Sequence, residues 1–400
     1  MDLLRQEIQS NKEPKGKKIV LSLLIISIVL LIVLVLIVAM LKDNNNNVTL
    51  GLTVNGKDAE IIENMLIEGA DGKGYISIQN VAKLIGDNYI EGGYLQDKDN
   101  KNKCYIENSN QIIEYEVDSK SIRKVDLNSK IEDEEYKLKN NIIINNDNKY
   151  IALEDLNIGC NVVYSFSEEE YKIKLYTTET LVEIYNEALI EEELNVSNSL
   201  NNQKAMLYNM LVVSNNKEGK MGVIDTDNNL LISYIYSTIE YNEYLDNFIV
   251  SDKNKYGIIS KEGRKIIEPK YQEIEIISYS PVLYKVKLNS EYGVLDETGA
   301  TKVNIGYDKI GFKEESNTIE SVCIIRNVVN NHDGIVVCKD SKYGIVDLKT
   351  GKTIIKCEVD KIYSKIYDSE ENKYYVEIKD TEVDLQDYIE YVNTTTVITN

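Results

Sequence analysis

A short phrase built around a glycine occurs four times in the second half of this 400-residue chain. Each phrase has a large side chain before the glycine and two apolar residues after it: Lys220-Met221-Gly222-Val223-Ile224-Asp225, Lys255-Tyr256-Gly257-Ile258-Ile259, Glu291-Tyr292-Gly293-Val294-Leu295-Asp296 and Lys342-Tyr343-Gly344-Ile345-Val346-Asp347. The glycines are 35, 36 and 51 residues apart. Recurrence at such a period is typical of arrays in which one small unit stacks on the next. The sequence therefore predicts an array of small β units.

Each repeat contains short apolar segments separated by polar turns. Phe248–Val250 precedes the second glycine phrase, and a turn at Gly263 leads into Lys265–Pro269. Three strands of about five residues with tight turns fill such a repeat, so we predict three-stranded units without a long helix. The long last interval indicates an insertion, for which the polar stretch Lys313–Thr318 is the candidate.

These units resemble the WG repeat, whose pattern is Trp-Gly followed by two hydrophobic residues and Asp, a Gly-Lys turn, and a Pro-Lys-Tyr-Asp-x-Ile ending. The resemblance covers about residues 210–363, and the segment Lys373–Ile378 is a candidate terminal cap. It implies surface display and protein contacts. The residues that define the repeat, to which we assign a structural role, are Met221, Gly222, Tyr256, Gly257, Tyr292, Gly293, Tyr343, Gly344, Tyr271 and Tyr307.

One segment near the N-terminus is long and apolar enough to cross a membrane. The residues from Ile19 to Leu41 are all apolar except Ser22 and Ser27. As a helix they span roughly 34 Å, against about 30 Å of hydrocarbon. No small-residue cleavage site follows them, and lysines before the segment outnumber Lys42 after it. We predict an uncleaved signal anchor with residues 1–18 in the cytoplasm and the bulk of the chain outside.

The stretch after the anchor contains two copies of one half-domain. Leu50–Lys57 alternates apolar residues into an Asn-Gly turn, which predicts a hairpin. Each copy then has a turn, a short strand, one or two helical turns ending at a glycine, and a closing strand pair. The helical parts are Asp71–Gly86 and Asn146–Gly159, and the expected closing strands are Tyr94–Asp97 with Cys104–Glu107, and Val162–Ser165 with Tyr171–Leu175.

This two-copy pattern resembles the copper amine oxidase N-terminal-like domain, or stalk domain, over about residues 48–178. The resemblance implies a spacer or envelope-associated module that is not the copper site of the enzyme. The residues agree with this, because His332 is the single histidine of the chain and a His-rich copper or zinc site needs several.

A helical connector is predicted after the stalk-like domain. Thr180–Glu183 has capping-box spacing, and apolar residues at helical spacing follow it. They are Leu181, Ile184, Tyr185, Ala188 and Leu189. The predicted organisation is a cytoplasmic tail (1–18), a transmembrane helix (19–41), a stalk-like domain (48–178), a connector (179–209) and the repeat array with its cap (210–400). The fold class is mainly β with minor α.

Composition limits the choice of partners and chemistry. The net charge of −21 makes nucleic-acid binding improbable, because phosphate backbones are repelled. The Glu-rich runs at 132–135, 168–170 and 191–193 are interpreted as solvated charge, although paired acids for glycoside hydrolysis are the alternative. Asp97–Asp99 and Asp225–Asn229 lack the glycine and glutamate of an EF-hand, so both are interpreted as ordinary turns. His332 lies in a hairpin-like turn.

The five cysteines are odd in number and contain no CxxC pair, so we predict buried thiols, with a Cys338–Cys357 pair across a hairpin as the alternative. We expect no catalytic, cofactor-binding or metal-binding residues. The sequence thus indicates a single-pass bacterial membrane protein that presents its repeat array to a cell-envelope polymer or a protein. The alternative is an exported hydrolase or a regulatory subunit of an envelope enzyme.

Overall fold

The computed structural model describes residues 49–127, 134–313, 321–367 and 371–398. These residues are mainly in β-strands, with a smaller share in helices. The chain divides into two compact units, Met1–Glu187 with Met206–Tyr208 and Ala188–Ala205 with Asn209–Asn400. The predicted cytoplasmic tail and transmembrane segment lie outside the described residues. None of the helices within those residues has the length and apolar character needed to cross a bilayer.

The first unit begins with the predicted hairpin. Strands β1 (Gly51–Val54) and β2 (Lys57–Ala59) are antiparallel, with Val54 opposite Lys57. The two turn residues, Asn55 and Gly56, have φ angles of +53° and +76°, as a type I′ turn requires. The hairpin is therefore confirmed. Strand β1 also pairs in parallel with β13 (Lys172–Thr177), which forms a second hairpin with β12 (Val162–Ser167).

The two half-domain copies meet through their central strands. Strand β4 (Gly74–Ser77) leads into helix α1 (Ile78–Ile85), and β11 (Asn148–Ala152) leads into a 3₁₀ turn and helix α2 (Leu156–Cys160). The strands pair antiparallel with Ile76 opposite Ile151, the residues that match in the two copies. The pairing is thus symmetric about that residue pair. Strands β3 (Leu66–Glu68) and β10 (Ile143–Asn145) flank it on either side.

The two helices end differently. Gly86 ends α1 in the left-handed conformation, with a φ of +87°, as predicted. In the second copy the predicted stop at Gly159 is wrong, because α2 continues to Cys160 and Asn161 takes the left-handed position. Gly159 instead packs against Ile151, whose side chain would overlap any β-carbon at residue 159. This glycine therefore permits close packing and does not end the helix.

The middle of the first unit is a five-stranded antiparallel meander. Its strands are β5 (Asn88–Glu91), β6 (Lys103–Glu107), β7 (Gln111–Glu116), β8 (Ser121–Asp126) and β9 (Glu134–Lys137). The predicted strand at Tyr94–Asp97 is wrong, because these residues form a loop. Gly92 turns the chain with a φ of +94°. The N–H of Tyr94 then donates to the carboxylate of Glu114, 2.5 Å away, and holds the loop on the sheet.

The second unit is a series of antiparallel sheets that follow one another along the chain, and the first three have four strands each. The predicted three-stranded unit is therefore wrong for these repeats. The first sheet contains β14 (Leu194–Val196), β15 (Met210–Asn215), β16 (Lys220–Asp225) and β17 (Leu230–Tyr236); the second contains β18 (Thr238–Asn242), β19 (Asn247–Asp252), β20 (Lys255–Ser260) and β21 (Lys265–Tyr271); the third contains β22 (Glu273–Tyr279), β23 (Val282–Leu288), β24 (Glu291–Asp296) and β25 (Thr301–Tyr307).

The fourth and fifth sheets depart from this plan. In the fourth, additional residues divide the first strand, so that β26 (Lys309–Ile310) and β29 (Ile324–Val329) pair with opposite ends of the next strand. The other strands of the fourth sheet are β30 (His332–Lys339), β31 (Lys342–Asp347) and β32 (Thr353–Val359), and a short pair, β27 (Phe312–Lys313) with β28 (Ser321–Val322), lies within the insertion. The fifth sheet has three strands, β33 (Lys361–Tyr367), β34 (Glu371–Ile378) and β35 (Thr381–Asp384).

The inner sheets of the array are buried on both faces. In β23, Leu283 belongs to a hydrophobic core shared with the fourth sheet, whereas Tyr284 and Val286 belong to a core shared with the second. In β30, Val337 and Val336 divide in the same way between the third and fifth sheets. Successive side chains of a strand point to opposite faces, so burial of both faces requires continuous apolar runs. This explains why the strands beside the glycines lack polar alternation.

The glycine of each repeat lies where the fourth strand bulges toward the third. The pairing passes from Tyr256–Tyr271 to Ile258–Ile267, which leaves additional residues on the fourth strand opposite Gly257. A β-carbon at Gly257 would lie 2.6 Å from the carbonyl oxygen of Ile267. The other repeats have the same bulge at Gly222, Gly293 and Gly344. The glycine therefore recurs in each repeat because the backbone of the fourth strand occupies the space that a side chain would need.

A single residue joins one sheet to the next. These junction residues are Ser237, Gln272, Asp308 and Asp360, and the N–H of each donates to a carbonyl on the second strand of the following sheet. The Asp308 carboxylate accepts the N–H of Asp340 at 2.7 Å, and Asp360 accepts that of Lys379 at 2.9 Å. The junction thus binds the two-residue hairpin turn of the next sheet. This contact explains the acidic residue in the Tyr-Asp-x-Ile ending.

Two helices pack against the sheets of the array, one at a strand edge and one at the C-terminal end. Before the second sheet, helix α4 (Leu200–Lys204) carries the buried Asn202. The Asn202 amide donates to the Ile239 carbonyl at 2.9 Å and accepts the Tyr241 N–H at 2.9 Å, so it pairs with β18 as a neighbouring strand would. At the C-terminal end of the array, helix α5 (Leu385–Ile398) packs Leu385 into the last hydrophobic core. The candidate cap Lys373–Ile378 is the middle strand of the fifth sheet.

The connector helix differs in detail from its prediction. Helix α3 (Thr178–Ala188) begins directly after β13, so Thr180 lies inside the helix and does not cap it. Leu181, Val182 and Leu189 are buried, whereas Ile184 is exposed. The buried face therefore includes Val182, which was not predicted, and excludes Ile184, which was.

A substitution at a repeat glycine tests this packing. We expect Gly293→Ala to lower the free energy of unfolding by about 2 kcal/mol, because its β-carbon would lie 2.8 Å from the Val303 carbonyl oxygen. Gly306→Ala is the matched control in the same sheet, since no atom lies within 4 Å of its β-carbon. Denaturant unfolding of both variants measures the difference, and equal stability would contradict the packing argument.

Acid titration tests the turns that follow the glycine strands. Asp296 accepts the N–H groups of Thr298 and Ala300, each at 3.0 Å. Burial raises the pKa of this carboxyl, but these hydrogen bonds outweigh burial and hold the pKa below its usual range. The stabilisation is therefore complete above about pH 4, the value of an unfolded Asp, and is lost as pH falls through the lowered pKa.

We expect Asp296→Asn to remove this part of the acid dependence, because its side-chain oxygen still accepts hydrogen bonds but does not titrate. We expect Asp296→Ala to cost about 1 kcal/mol at neutral pH. Unfolding curves between pH 3 and 7 measure both effects. An unchanged pH dependence in Asp296→Asn would show that the turn does not stabilise the fold through this carboxylate.

Candidate binding groove

The residues that define the repeat form cross-strand pairs. Each large residue before a glycine lies opposite the last residue of the fourth strand in its sheet. The pairs are Met221 with Tyr236, Tyr256 with Tyr271, Tyr292 with Tyr307, and Tyr343 with Val359. Tyr271 is buried, whereas Tyr292 and Tyr343 are half-buried. Some of the repeat tyrosines therefore serve packing while presenting part of the ring to solvent.

Two of these tyrosines line an open groove of about 610 Å³ formed by the third, fourth and fifth sheets. We call it the basic groove and define it by its charged and aromatic side chains: Lys285, Lys287, Tyr292, Asp308, Lys309, Tyr343, Lys361 and Tyr363. It thus combines four lysines, three tyrosines and one carboxylate in a chain whose net charge is −21.

The lysines of β23 surround one tyrosine. The ammonium groups of Lys285 and Lys287 lie 5.9 and 4.8 Å from the centre of the Tyr292 ring. The Tyr292 hydroxyl donates to Glu273 at 3.2 Å. Cations over an aromatic face are attracted by its quadrupole, so this ring fixes the position of two positive charges at one end of the groove.

Carboxylates lie beside most of the lysines. Lys285 forms an ion pair with Glu275, Lys287 lies 3.9 Å from Glu273, and Lys361 lies 3.3 Å from Glu377. Burial lowers the pKa of Lys285, but its hydrogen bond and attraction to Glu275 outweigh burial and raise that pKa above its usual range. Lys285 therefore remains charged at neutral pH. The groove offers both hydrogen-bond donors and acceptors.

Sequence reasoning missed the lysines of the groove. On the second strand of the third repeat, Val286 lies opposite Gly293, and Lys285 and Lys287 lie on either side of Val286. The matching residues are Ile249 and Ser251 in the second repeat, and Val336 and Cys338 in the fourth. The departure from the pattern of the other repeats is the signal that an alignment of the repeats could have detected.

A second, smaller groove of about 390 Å³ contains His332. As the sequence indicated, His332 follows a hairpin turn, in which Asn330 and Asn331 both have positive φ. Its Nδ1 lies 3.0 Å from an oxygen of Asp347. Burial raises the pKa of Asp347, but hydrogen bonds from His332 and from nearby N–H groups outweigh it and hold the pKa below its usual range. His332 thus supports a turn at the end of β31.

The acidic runs at 168–170 and 191–193 lie on turns, whereas Glu134 and Glu135 begin β9. Glu170 and Glu193 form exposed ion pairs with Lys174 and Lys217, both at 2.8 Å. Asp225 accepts N–H groups within its own turn. Within the described ranges, no group of three or more His, Cys, Asp or Glu side chains is placed to hold a metal ion.

All five cysteines are present as thiols. Cys338 lies on β30 and Cys357 on β32, with β31 between them, so they do not face each other across one hairpin. Burial raises the pKa of Cys104 and of Cys160 to about 12, which keeps these two thiols protonated at neutral pH.

Comparison with known proteins agrees with the repeat assignment. The WG containing repeat family matches residues 256–292, which run from the tyrosine of the second glycine phrase to that of the third. The chain therefore carries a WG containing repeat. No curated protein matches the chain.

Several solved structures share a distant likeness. They include dihydro-heme d1 dehydrogenase NirN in complex with DHE (11% identity, 67% of this chain and 48% of that one, TM-score 0.22), apo AztD from Citrobacter koseri (10%, 68% and 64%, 0.24) and Kluyveromyces lactis Hsv2p (9%, 72% and 70%, 0.20). The match spans about half the length of NirN. TM-scores this low carry no argument about fold or function.

Proposed function

We propose that this chain is a membrane-anchored binding or scaffold protein without catalytic activity. In this proposal residues 19–41 cross the bilayer, a stalk-like domain at 48–178 and a connector at 179–209 follow outside the membrane, and the array at 210–400 contacts a cell-envelope polymer or a protein. The observation that carries the proposal is the basic groove, whose lysines on the third sheet replace residues that the other repeats use for packing.

The first unit supports a spacer role, because its polar side chains bind one another. The buried Asp155 accepts the N–H of Lys139 at 2.9 Å and that of Asn140 at 3.0 Å. Lys73, from the first copy, donates to Asn140 at 2.7 Å and to Glu154 in the second copy at 2.5 Å. These contacts join the two copies, and their polar groups are therefore engaged within the unit.

The alternative function, an exported hydrolase or its regulatory subunit, would use the acids of the second groove. Asp296, Glu297 and Asp333 all line it. However, Asp333 pairs with Arg326 at 2.6 Å and accepts the N–H of Asn327 at 3.0 Å, and Asp296 holds a turn. Of these acids, only Glu297 has no structural task described above. Loss of a measured hydrolase activity in Glu297→Gln would favour the enzyme over the binding protein.

Protease treatment of intact cells tests the topology. We expect an external protease to remove the part of the chain beyond residue 42 and to leave the N-terminal tail protected inside. Immunoblots against tags at the two ends measure the cleavage, and lysed cells are the control for protease access. A fully protected C-terminal part would refute the proposed orientation.

Retention of partners tests the binding function. We expect the full-length protein, immobilised in detergent, to retain material from purified cell wall or from a membrane extract. The same protein after heat unfolding is the control for nonspecific adsorption. If neither source leaves a partner on the folded protein, the binding proposal is wrong.

A further inference from the structure

We propose that the basic groove binds an extended anionic glycan, a chain of sugar or polyol units that carries phosphate or carboxylate groups at intervals. This inference rests on the proposed binding function and specifies the ligand of that function.

The positions of the lysines indicate an extended ligand. Lys309 and Lys361 each follow a junction aspartate, so they occupy matching positions in the fourth and fifth sheets. Lys287 extends the series to the third sheet. Consecutive sheets of the array thus place one positive charge after another along the groove. A ligand that meets all of them must contact three consecutive sheets, which favours an extended polymer over a compact small molecule.

The fold itself does not require these charges. At the positions of Lys309 and Lys361 the second repeat has Thr238 and the third has Glu273. Both repeats nevertheless form the same four-stranded sheet with the same junction contact. Lysine at these positions is therefore available for a task other than folding.

The tyrosines add surface suited to sugar or polyol units. Tyr292 and Tyr343 occupy matching positions before the glycines of the third and fourth repeats, and both are half-buried and line the groove. A partly exposed ring offers an apolar face beside the charges, and a sugar or polyol unit has C–H surface that can lie against it.

The carboxylates beside the lysines favour a glycan over a nucleic acid. Asp308 lines the groove, and Glu273 and Glu377 lie beside its lysines. Carboxylates accept hydrogen bonds from hydroxyl groups, which glycans carry on nearly every unit. The sugar-phosphate backbone of DNA has no hydrogen-bond donor for these carboxylates, and its phosphates would be repelled by them. The net charge of −21 further opposes a polymer with one phosphate at every nucleotide.

The test compares defined polymers on the full-length protein in detergent micelles. The probes are poly(glycerol phosphate), polygalacturonate, neutral dextran and a single-stranded oligodeoxynucleotide. We expect at least one of the two anionic glycans to bind more tightly than dextran and the oligonucleotide, with an affinity that falls as salt is added. The stronger of the two identifies phosphate or carboxylate as the recognised group.

A charge-reversal pair gives the residue-level test. We expect Lys309→Glu with Lys361→Glu to weaken glycan binding roughly tenfold, because two exposed charge contacts become repulsive. The matched control, Lys270→Glu with Lys356→Glu, changes net charge equally at exposed lysines that do not line the groove, and we expect less than about a twofold change. Matching thermal unfolding midpoints establish that both variants are folded.

Several outcomes would overturn the inference. They are equal binding of dextran, tighter binding of the oligonucleotide, or unchanged glycan binding in the groove variant. If the wild-type protein and the groove variant retain the same cell-wall or protein partner, the inference fails while the binding function stands. If the wild-type protein retains nothing from either source, both fail.

Discussion

The close approach of two strands at a glycine determines how the repeat array is built. At Gly222, Gly257 and Gly344 a carbonyl oxygen of the fourth strand lies 2.6 Å from where a β-carbon would be. The additional residues on the fourth strand form a bulge, and bulges bend a strand and increase its twist. The bent strand can then leave one sheet and enter the next after a single residue. A side chain in place of the glycine would push the fourth strand away from the third and strain this path.

Burial on both faces makes each sheet dependent on its neighbours. The hydrophobic cores lie between consecutive sheets, so a single repeat would expose two apolar faces to water. Stability in such an array is approximately a sum of nearest-neighbour terms. At the C-terminal end of the array, α5 covers the last of these cores with Leu385. The basic groove lies near this end, where it is lined by three consecutive sheets.

Much of the fold could be predicted from local patterns. The Asn55-Gly56 hairpin, the strand and helix of each half-domain copy, and the period of the array depend on residues that are close together in sequence. The first strand of each four-stranded sheet, such as β18, was not predictable in this way. Between Tyr236 and Ile239 no glycine or proline marks the passage from one sheet to the next. Only the pairing of strands, which is a tertiary property, reveals it.

The groove could not be predicted for a related reason. Its lysines are spread from residue 285 to residue 361 and meet because consecutive sheets stack. The repeat tyrosines were identified from sequence, and their packing role agrees with their cross-strand pairing. Their second role, as part of the groove wall, depends on the neighbouring repeat. Tyr94–Asp97 shows the opposite problem, since a segment predicted as a strand forms a loop that Glu114 holds on the sheet.

The single-residue junction also determines where the array can change its length. A linker of one residue cannot extend further, and both the N–H and the carboxylate of Asp308 are already bound to the following sheet. Extra residues at Asp308 would release both contacts and separate two apolar faces. The additional residues of the fourth repeat accordingly interrupt its first strand, beyond Ile310, and leave the junction intact. Insertions are thus tolerated within an edge strand and not at the junction residues. A loop added within an edge strand can reach solvent or a ligand while the stacking of the sheets is preserved.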